Sequence, residues 1–275
     1  MIIVIQCIDR VGLVASITAV LAQEQLNIVS MREHVDQADS RFFMRLEVTY
    51  NGEGINFEQK LRAVLPPDAD IRINPLPEKK VVIMVTREYH CLADILIRNY
   101  YQTLGATVLA VIGNHTVLKD ICNRFDMPFF GIPHEGVSKD EFEKRVAAVI
   151  DQYAPDYIVL AKFMRILSPA VVAKFPMRII NIHHSFLPAF IGASPYKQAF
   201  ERGVKLIGAT AHFVSNELDE GPIIAQQTIP VNHSYTATDM VKAGKEIETA
   251  VLATALKLVF EDRVFVYKNK TVVFD

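Results

Sequence analysis

Four short runs made almost wholly of apolar residues, Val81 to Val85, Ala106 to Ile112, Tyr157 to Leu160 and Ile179 to Ile182, punctuate the chain and are separated by helix-like sequence. A strand with one face in water alternates apolar and polar residues, whereas a strand covered on both faces reads as a continuous apolar run. Such runs alternating with helices predict an open, mostly parallel α/β sheet. Two helix starts lie between them: Ser138 with Glu141 three residues on forms a capping box, and Ser168-Pro169 supplies a cap followed by proline at the first helical position. Ala209 to Val214 and Ile223 to Val231 predict later strands, Thr238 to Phe260 a long helix, and Val264 to Phe274 a hairpin turning at Lys268 to Lys270.

The texture changes sharply at Asn74-Pro75-Leu76-Pro77-Glu78-Lys79-Lys80, where two prolines and three charges interrupt periodic sequence. This predicts a small domain over 1–76, a linker over 77–80 and a larger domain over 81–275. In the small domain Ile2 to Cys7 reads as a strand, and Leu13, Val14, Ile17, Val20 and Leu21 recur at helical spacing. A further strand falls between Ile28 and His34. Phe42, Met44, Leu46, Val48 and Tyr50 alternate at period two, as a half-buried strand should. Phe57, Leu61, Val64 and Leu65 suggest a second helix, and Ile71 and Ile73 a last strand. The order β-α-β-β-α-β is the split βαβ, ferredoxin-like arrangement.

Composition removes several function classes. The net charge is −2 and no Lys/Arg-rich run appears, so nucleic-acid binding is not expected. No apolar run approaches the roughly 20 residues that span a bilayer, and Met1 to Ile8 lacks the flanks of a signal peptide, so no membrane association and a cytoplasmic location are expected. The three cysteines, Cys7, Cys91 and Cys122, form no C-x-x-C pair and read as reduced thiols. Cys91 follows His90, but neighbours in sequence do not face each other on a helix, which argues against a thiolate dyad.

Ligands of open α/β sheets bind beyond the carboxyl ends of the strands, so polar residues that follow an apolar run are the place to look. The run ending at Ile182 leads into Asn181-Ile182-His183-His184-Ser185-Phe186-Leu187-Pro188, with Asn181 and His183 on one face. The next predicted strand carries Thr210 and His212, and the loop after it reads Glu217-Leu218-Asp219-Glu220-Gly221-Pro222. An amide, an imidazole and a carboxylate could meet at a sheet end. Attack on a carbonyl builds negative charge on its oxygen and needs donors aimed there, which Asn181 and His183 can be. A carboxylate at Asp219 can support an imidazolium or deprotonate a nucleophile. Taken singly, Asn181 could cap a loop, His183 could be a core histidine and Asp219 could start a turn. His183, His184, His212 and Asp219 could also be read as metal ligands, although no H-E-x-x-H spacing supports it.

The run from Asn181 to Pro188, with Gly208 to Val214 and Leu218 to Pro222, resembles the folate-dependent formyltransferase fold, a Rossmann-like sheet, over about Lys80 to Asp275. The resemblance puts that family's catalytic Asn, His and Asp on Asn181, His183 and Asp219. It adds Met164, Arg165, Ile166, Leu167, His184, Ser185, Thr210 and His212 as substrate-binding residues, with the pterin gripped through backbone groups near Arg165 to Leu167. Asp9-Arg10-Val11-Gly12-Leu13-Val14, followed by Leu26-Asn27-Ile28, resembles the signature of ACT domains. That implies a small-molecule effector at Asp9, Arg10, Gly12 and Asn27 and a homo-oligomer; the plainer alternative is that Asp9 and Gly12 only cap a helix and shape a turn.

Two departures from the transferase pattern bear on the acceptor. Glycinamide ribonucleotide formyltransferases hold a phosphate on a glycine-rich turn after the first strand, but Thr86-Arg87-Glu88-Tyr89-His90-Cys91-Leu92 has no glycine. His184 stands where transferases commonly have proline, and Ile180 to Gly192 resembles formyltetrahydrofolate deformylases, which share this two-domain order. The resemblance implies hydrolysis of 10-formyltetrahydrofolate to tetrahydrofolate and formate, with no cofactor and no metal. The alternatives are a formyltransferase with an amine acceptor and a silent folate-binding protein.

Overall fold

A computed structural model describes residues 1–49, 57–74, 78–189 and 195–274. The expectations that fall on Tyr50, on Pro75 to Pro77 and on Phe190 to Gly192 lie outside these residues. By contact the chain divides into two compact units: Met1–Pro77 with Glu261–Phe265 and Val272–Asp275, and Glu78–Phe260 with Val266–Thr271.

The first unit carries β1 (Ile2–Ile8), α1 (Leu13–Gln23), β2 (Ile28–Asp36), β3 (Arg41–Val48), α2 (Phe57–Val64) and β4 (Asp70–Asn74). The strands form an antiparallel sheet in the order β2-β3-β1-β4, with β1 in the middle. Leu13, Ile17, Val20 and Leu21 of α1 and Phe57 and Leu61 of α2 bury one stripe each against Ile3, Ile5, Phe42, Met44 and Leu46. The expected half-buried strand is corrected here, because β3 is buried on both faces. Phe43 packs edge-on against Phe265 at 5.5 Å between ring centroids, and Arg45 Nε donates to Glu261 O at 3.0 Å. A carboxy-terminal segment covers the face that period-two reading leaves to water.

The second unit carries β5 (Lys79–Val85), α3 (His90–Tyr100), β6 (Ala106–Gly113), α4 (Lys119–Arg124), β7 (Phe129–Gly131), α5 (Lys139–Tyr153), β8 (Tyr157–Leu160), α6 (Pro169–Lys174), β9 (Ile179–His183), α7 (Pro195–Arg202), β10 (Leu206–Phe213), β11 (Ile223–Pro230) and α8 (Ala237–Phe260). The terminal hairpin pairs β12 (Val264–Tyr267) with β13 (Lys270–Val273). The seven-stranded sheet runs β11-β10-β9-β8-β5-β6-β7. It is parallel from β9 through β7, and β10 and β11 are antiparallel additions. Val81 to Val85 are buried as expected, at most 1% exposed, whereas Ala106, Thr107 and Leu109 of β6 and Tyr157 of β8 are only partly buried. Ser138 Oγ accepts from Glu141 N and Ser168 Oγ from Val171 N, so both predicted caps form. Strand order fixes where a site can lie, because β5, β8 and β9 adjoin and point the same way. Their carboxyl ends gather His90, Lys162 and His183 along one sheet edge.

Candidate active site

Register brings the polar residues together. Asn181 and His183 are two apart on β9 and share a face, and on β10 His212 pairs with Asn181 and Thr210 with His183. His212 Nδ1 lies 2.8 Å from Phe213 O and donates to it, which leaves Nε2 of the neutral ring as the acceptor for Asn181 Nδ2 at 3.2 Å. Burial favours that neutral form by pushing the His212 pKa down. The Asn181 amide is thereby fixed in orientation.

His183 is 7% exposed in its side chain, and its Nδ1 stands 3.3 Å from Asp219 Oδ1. The hydrogen bond from His183 holds the Asp219 carboxyl below the ordinary range, against the opposing effect of burial. His183 Nε2 is buried and has no hydrogen-bond partner among the described residues. A buried polar atom left unpaired costs about 1–3 kcal/mol, so it is a place where a bound group gains most. Asp219 reaches this point from a tight turn. It adopts φ 58°, a conformation aspartate tolerates better than most residues, and the turn is pressed onto the end of β10. At Gly221 any Cβ would come within 1.7 Å of Phe213 O, so only glycine lets the chain pass.

These side chains form one wall of a cavity of about 340 Å³. Asn181, His183, His184, His212 and Asp219 line it on one side and Met164 to Leu167 on another. The latter segment is pinned at both ends: Met164 N donates to Thr86 Oγ1 at 2.9 Å and Ser168 N to Glu143 Oε1 at 2.8 Å. Met164 and Ile166 are more than half exposed, and Arg165 is exposed as well. His184 packs its ring 5.2 Å from that of His183 and 6.4 Å from Tyr196. Burial, reinforced by the nearby charge of Lys162, lowers its pKa to about 4, so it is neutral at physiological pH.

Two of the residues expected at the substrate, Thr210 and Ser185, stand back from the cavity lining. Thr210 is fully buried and does not line the cavity. Its Oγ1 donates to Ser185 O and accepts from Leu187 N and Gln226 Nε2, which ties down the loop after β9. Ser185 is likewise absent from the cavity lining, and its hydroxyl donates to Ala189 O at 2.8 Å. Both residues shape the loop that carries His184.

A buried cluster escapes sequence reading. Glu248, 1% exposed on the inner face of α8, meets His90 Nε2 at 2.8 Å, Lys162 Nζ at 3.2 Å and the Tyr196 hydroxyl at 2.7 Å. Burial alone would raise its pKa, but these three partners bring it down to about 2. Tyr196 fits only because residue 244 is glycine; a Cβ there would lie 2.2 Å from its ring. Cys91 joins this cluster, with ligand-type atoms of His90, Cys91 and Glu248 all within 4.8 Å of one another. Burial drives the Cys91 thiol far up, in line with a protonated thiol and not half of a dyad with His90.

In the first unit Asp9, Arg10 and Gly12 line a cavity of about 440 Å³ with Glu33, Val35 and Phe42. Gly12 takes φ 87° at the start of α1, and Arg10 Nη2 donates to Val64 O. Asn27 is not in this lining; its backbone pairs with Thr49.

A profile described as Formyl transferase matches residues 79–256, and one described as ACT domain matches residues 1–63. The chain is 51% identical over 276 residues to a formyltetrahydrofolate deformylase of Haemophilus influenzae, covering 99% of this chain and 98% of that one. The chain belongs to the formyltetrahydrofolate deformylase family. A relative of the same name from Bacillus subtilis is 41% identical, with 99% and 93% covered. The crystal structure of a formyltetrahydrofolate deformylase from Pseudomonas syringae superimposes with a TM-score of 0.95 at 40% identity, covering 100% of this chain and 94% of that one. A glycinamide ribonucleotide transformylase from Symbiobacterium toebii gives a TM-score of 0.70 at 26% identity, covering 82% of this chain and all of its own. The deformylase match extends through both units.

Proposed function

We propose that this chain hydrolyses 10-formyltetrahydrofolate to tetrahydrofolate and formate, with Asn181, His183 and Asp219 as its catalytic residues. One observation carries the reading: His183 lines the cavity with a buried Nε2 that has no partner among the described residues, while its Nδ1 is held by Asp219. In this account the pterin lies against the backbone of Arg165 to Leu167, and the formyl oxygen faces Asn181 Nδ2 and His183 Nε2. Asn181 Nδ2 is a donor already in place for the charge that develops there, and His183 Nε2 becomes one when the ring is protonated beside Asp219. Asp219 stabilises positive charge on His183 as a proton moves, and its carboxylate is the nearest base for a water. Hydrolysis changes no oxidation state, so no electron carrier enters. No helix among the described residues is long and apolar enough to cross a membrane, and three buried cysteine thiols suit the cytoplasm.

Water as the nucleophile is supported at the carboxyl end of β5. A helix start there attracts anions. In this chain Glu88 stands beside it with Lys245 Nζ at 2.6 Å, and Thr86 Oγ1 is engaged by Met164. A phosphorylated amine would meet the Glu88 carboxylate, paired with Lys245, beside that helix start. Formate and tetrahydrofolate should appear in equal amounts at a rate unchanged by glycinamide ribonucleotide, methionyl-tRNA or an amino-sugar nucleotide. Formyl transfer to any of these in place of formate would overturn the proposal. The cavity at Asp9, Arg10 and Gly12 suits a small polar metabolite, an amino acid among them, which would raise the melting temperature of the whole chain. The exposed Val29 and Met31 on edge strand β2 favour self-association, which light scattering tests.

A further inference from the structure

Lys162 follows β8 by two residues, on the strand next to the one that carries His183. Its side chain is 8% exposed and lines the same cavity as His183 and His184. The backbone at Lys162 takes φ 62°, a left-handed conformation rare for a residue with a long side chain. Its Nζ stands 3.2 Å from Glu248 Oε2, and Glu248 is held in turn by His90 and Tyr196.

Burying an ammonium and a carboxylate costs desolvation that their attraction does not reliably return, and an apolar pair would hold α8 against the sheet as well. A strained backbone and a desolvated pair at a cavity wall point to a need for a fixed positive charge. The hydrolysis proposed above creates that need. Water's oxygen bonds to the formyl carbon, and the carbon–nitrogen bond breaks with its electron pair going to nitrogen, which takes a proton. The remaining acidic proton passes to solvent, and formate leaves as an anion. Transfer to an amine would form a neutral amide and no such anion. The other cation on this cavity, Arg165, is exposed on the segment assigned to the pterin.

We infer that Lys162, held in place by Glu248, is the anion-receiving residue of the cavity, binding formate as it forms and stabilising the negative oxygen that precedes it. A Lys ammonium has three donors, so the contact with Glu248 leaves others for the product. The inference rests on the hydrolytic reading, and the test separates the two. The full-length enzyme and its Lys162→Met, Lys162→Arg and Glu248→Gln variants are assayed for kcat, for KM and for inhibition by sodium formate against sodium chloride at equal ionic strength. Wild type should be inhibited by formate and not by chloride. Lys162→Met should lose about 10²-fold in kcat with KM little changed, and weaken formate inhibition by at least about tenfold. Lys162→Arg should keep a measurable part of both, and Glu248→Gln should fall between. A folded Lys162→Met with wild-type kcat and formate inhibition overturns the inference, as does a wild type insensitive to formate. If Lys162→Met does not fold, the arginine variant decides: formate inhibition lost in a folded Lys162→Arg at unchanged kcat counts against the proposal. A wild type that releases no formate would instead overturn the hydrolytic reading itself.

Discussion

Replacing Asp219 by asparagine keeps the shape of the turn and removes one charge from beside His183. The size of the effect follows from the 3.3 Å between Asp219 Oδ1 and His183 Nδ1. Two unit charges at that distance interact by about 5 kcal/mol at an effective dielectric of 20 and by about 1 kcal/mol in bulk water. Asp219 is 16% exposed, between those limits. Support for a developing imidazolium is thus worth a few kcal/mol, and kcat should fall by roughly 10² to 10³-fold. Stability should respond differently. The folded state depresses the Asp219 pKa below its ordinary 3.8, so the wild type gains stability above that pH and loses it as pH falls through the folded value. The variant lacks this dependence, and the two melting curves should begin to converge only as pH falls below 3.8. Formate release at neutral pH and thermal melting between pH 3 and 7 measure both effects. A folded Asp219→Asn enzyme with kcat within about threefold of wild type would refute the assigned role.

Further outcomes follow from neighbouring residues. Gly221→Ala forces a Cβ onto Phe213 O, 1.7 Å away, so it should destabilise the second unit by at least about 1–3 kcal/mol in urea titration and displace Asp219, lowering kcat. Wild-type activity and stability in that variant would show that the turn is not wedged against β10. His184, lowered to about 4 chiefly by burial, should show no change of its imidazole NMR signals between pH 5.5 and 8. Because its folded value lies below the unfolded 6.5, it should also cost the protein stability as pH falls from 6.5 toward 4, a loss that His184→Asn removes; a midpoint near 6.5 would contradict the packing described.

Much of this arrangement is legible in the chain before any coordinates. The runs Val81 to Val85 and Ile179 to Ile182 declare buried strands because a strand covered on both faces has no polar face to show. Asn181 and His183 stand out because they end such a strand, and Asp219 because it follows the next one, where a sheet end is open. Features set by distant partners are not legible. The second face of β3 is buried by Phe265 and Glu261, more than two hundred residues away, so Phe43 and Arg45 look solvent-facing from local alternation. Three-residue β7 is too short to show a period. Thr210 reads as a polar residue at a sheet end, yet it faces the loop it braces. Glu248 is visible as a charge on the apolar stripe of α8, but its partners come from α3, α7 and the segment after β8, and nothing local names them.

In the proposed reaction water, not an amine, takes the formyl group. Turnover of 10-formyltetrahydrofolate in ¹⁸O-enriched water, with the formate examined by mass spectrometry at neutral pH, tests it most directly. Each formate should carry one ¹⁸O atom, with one tetrahydrofolate for every formate formed. Unlabelled formate, or tetrahydrofolate that appears only when an added amine carries away the formyl group, would contradict it.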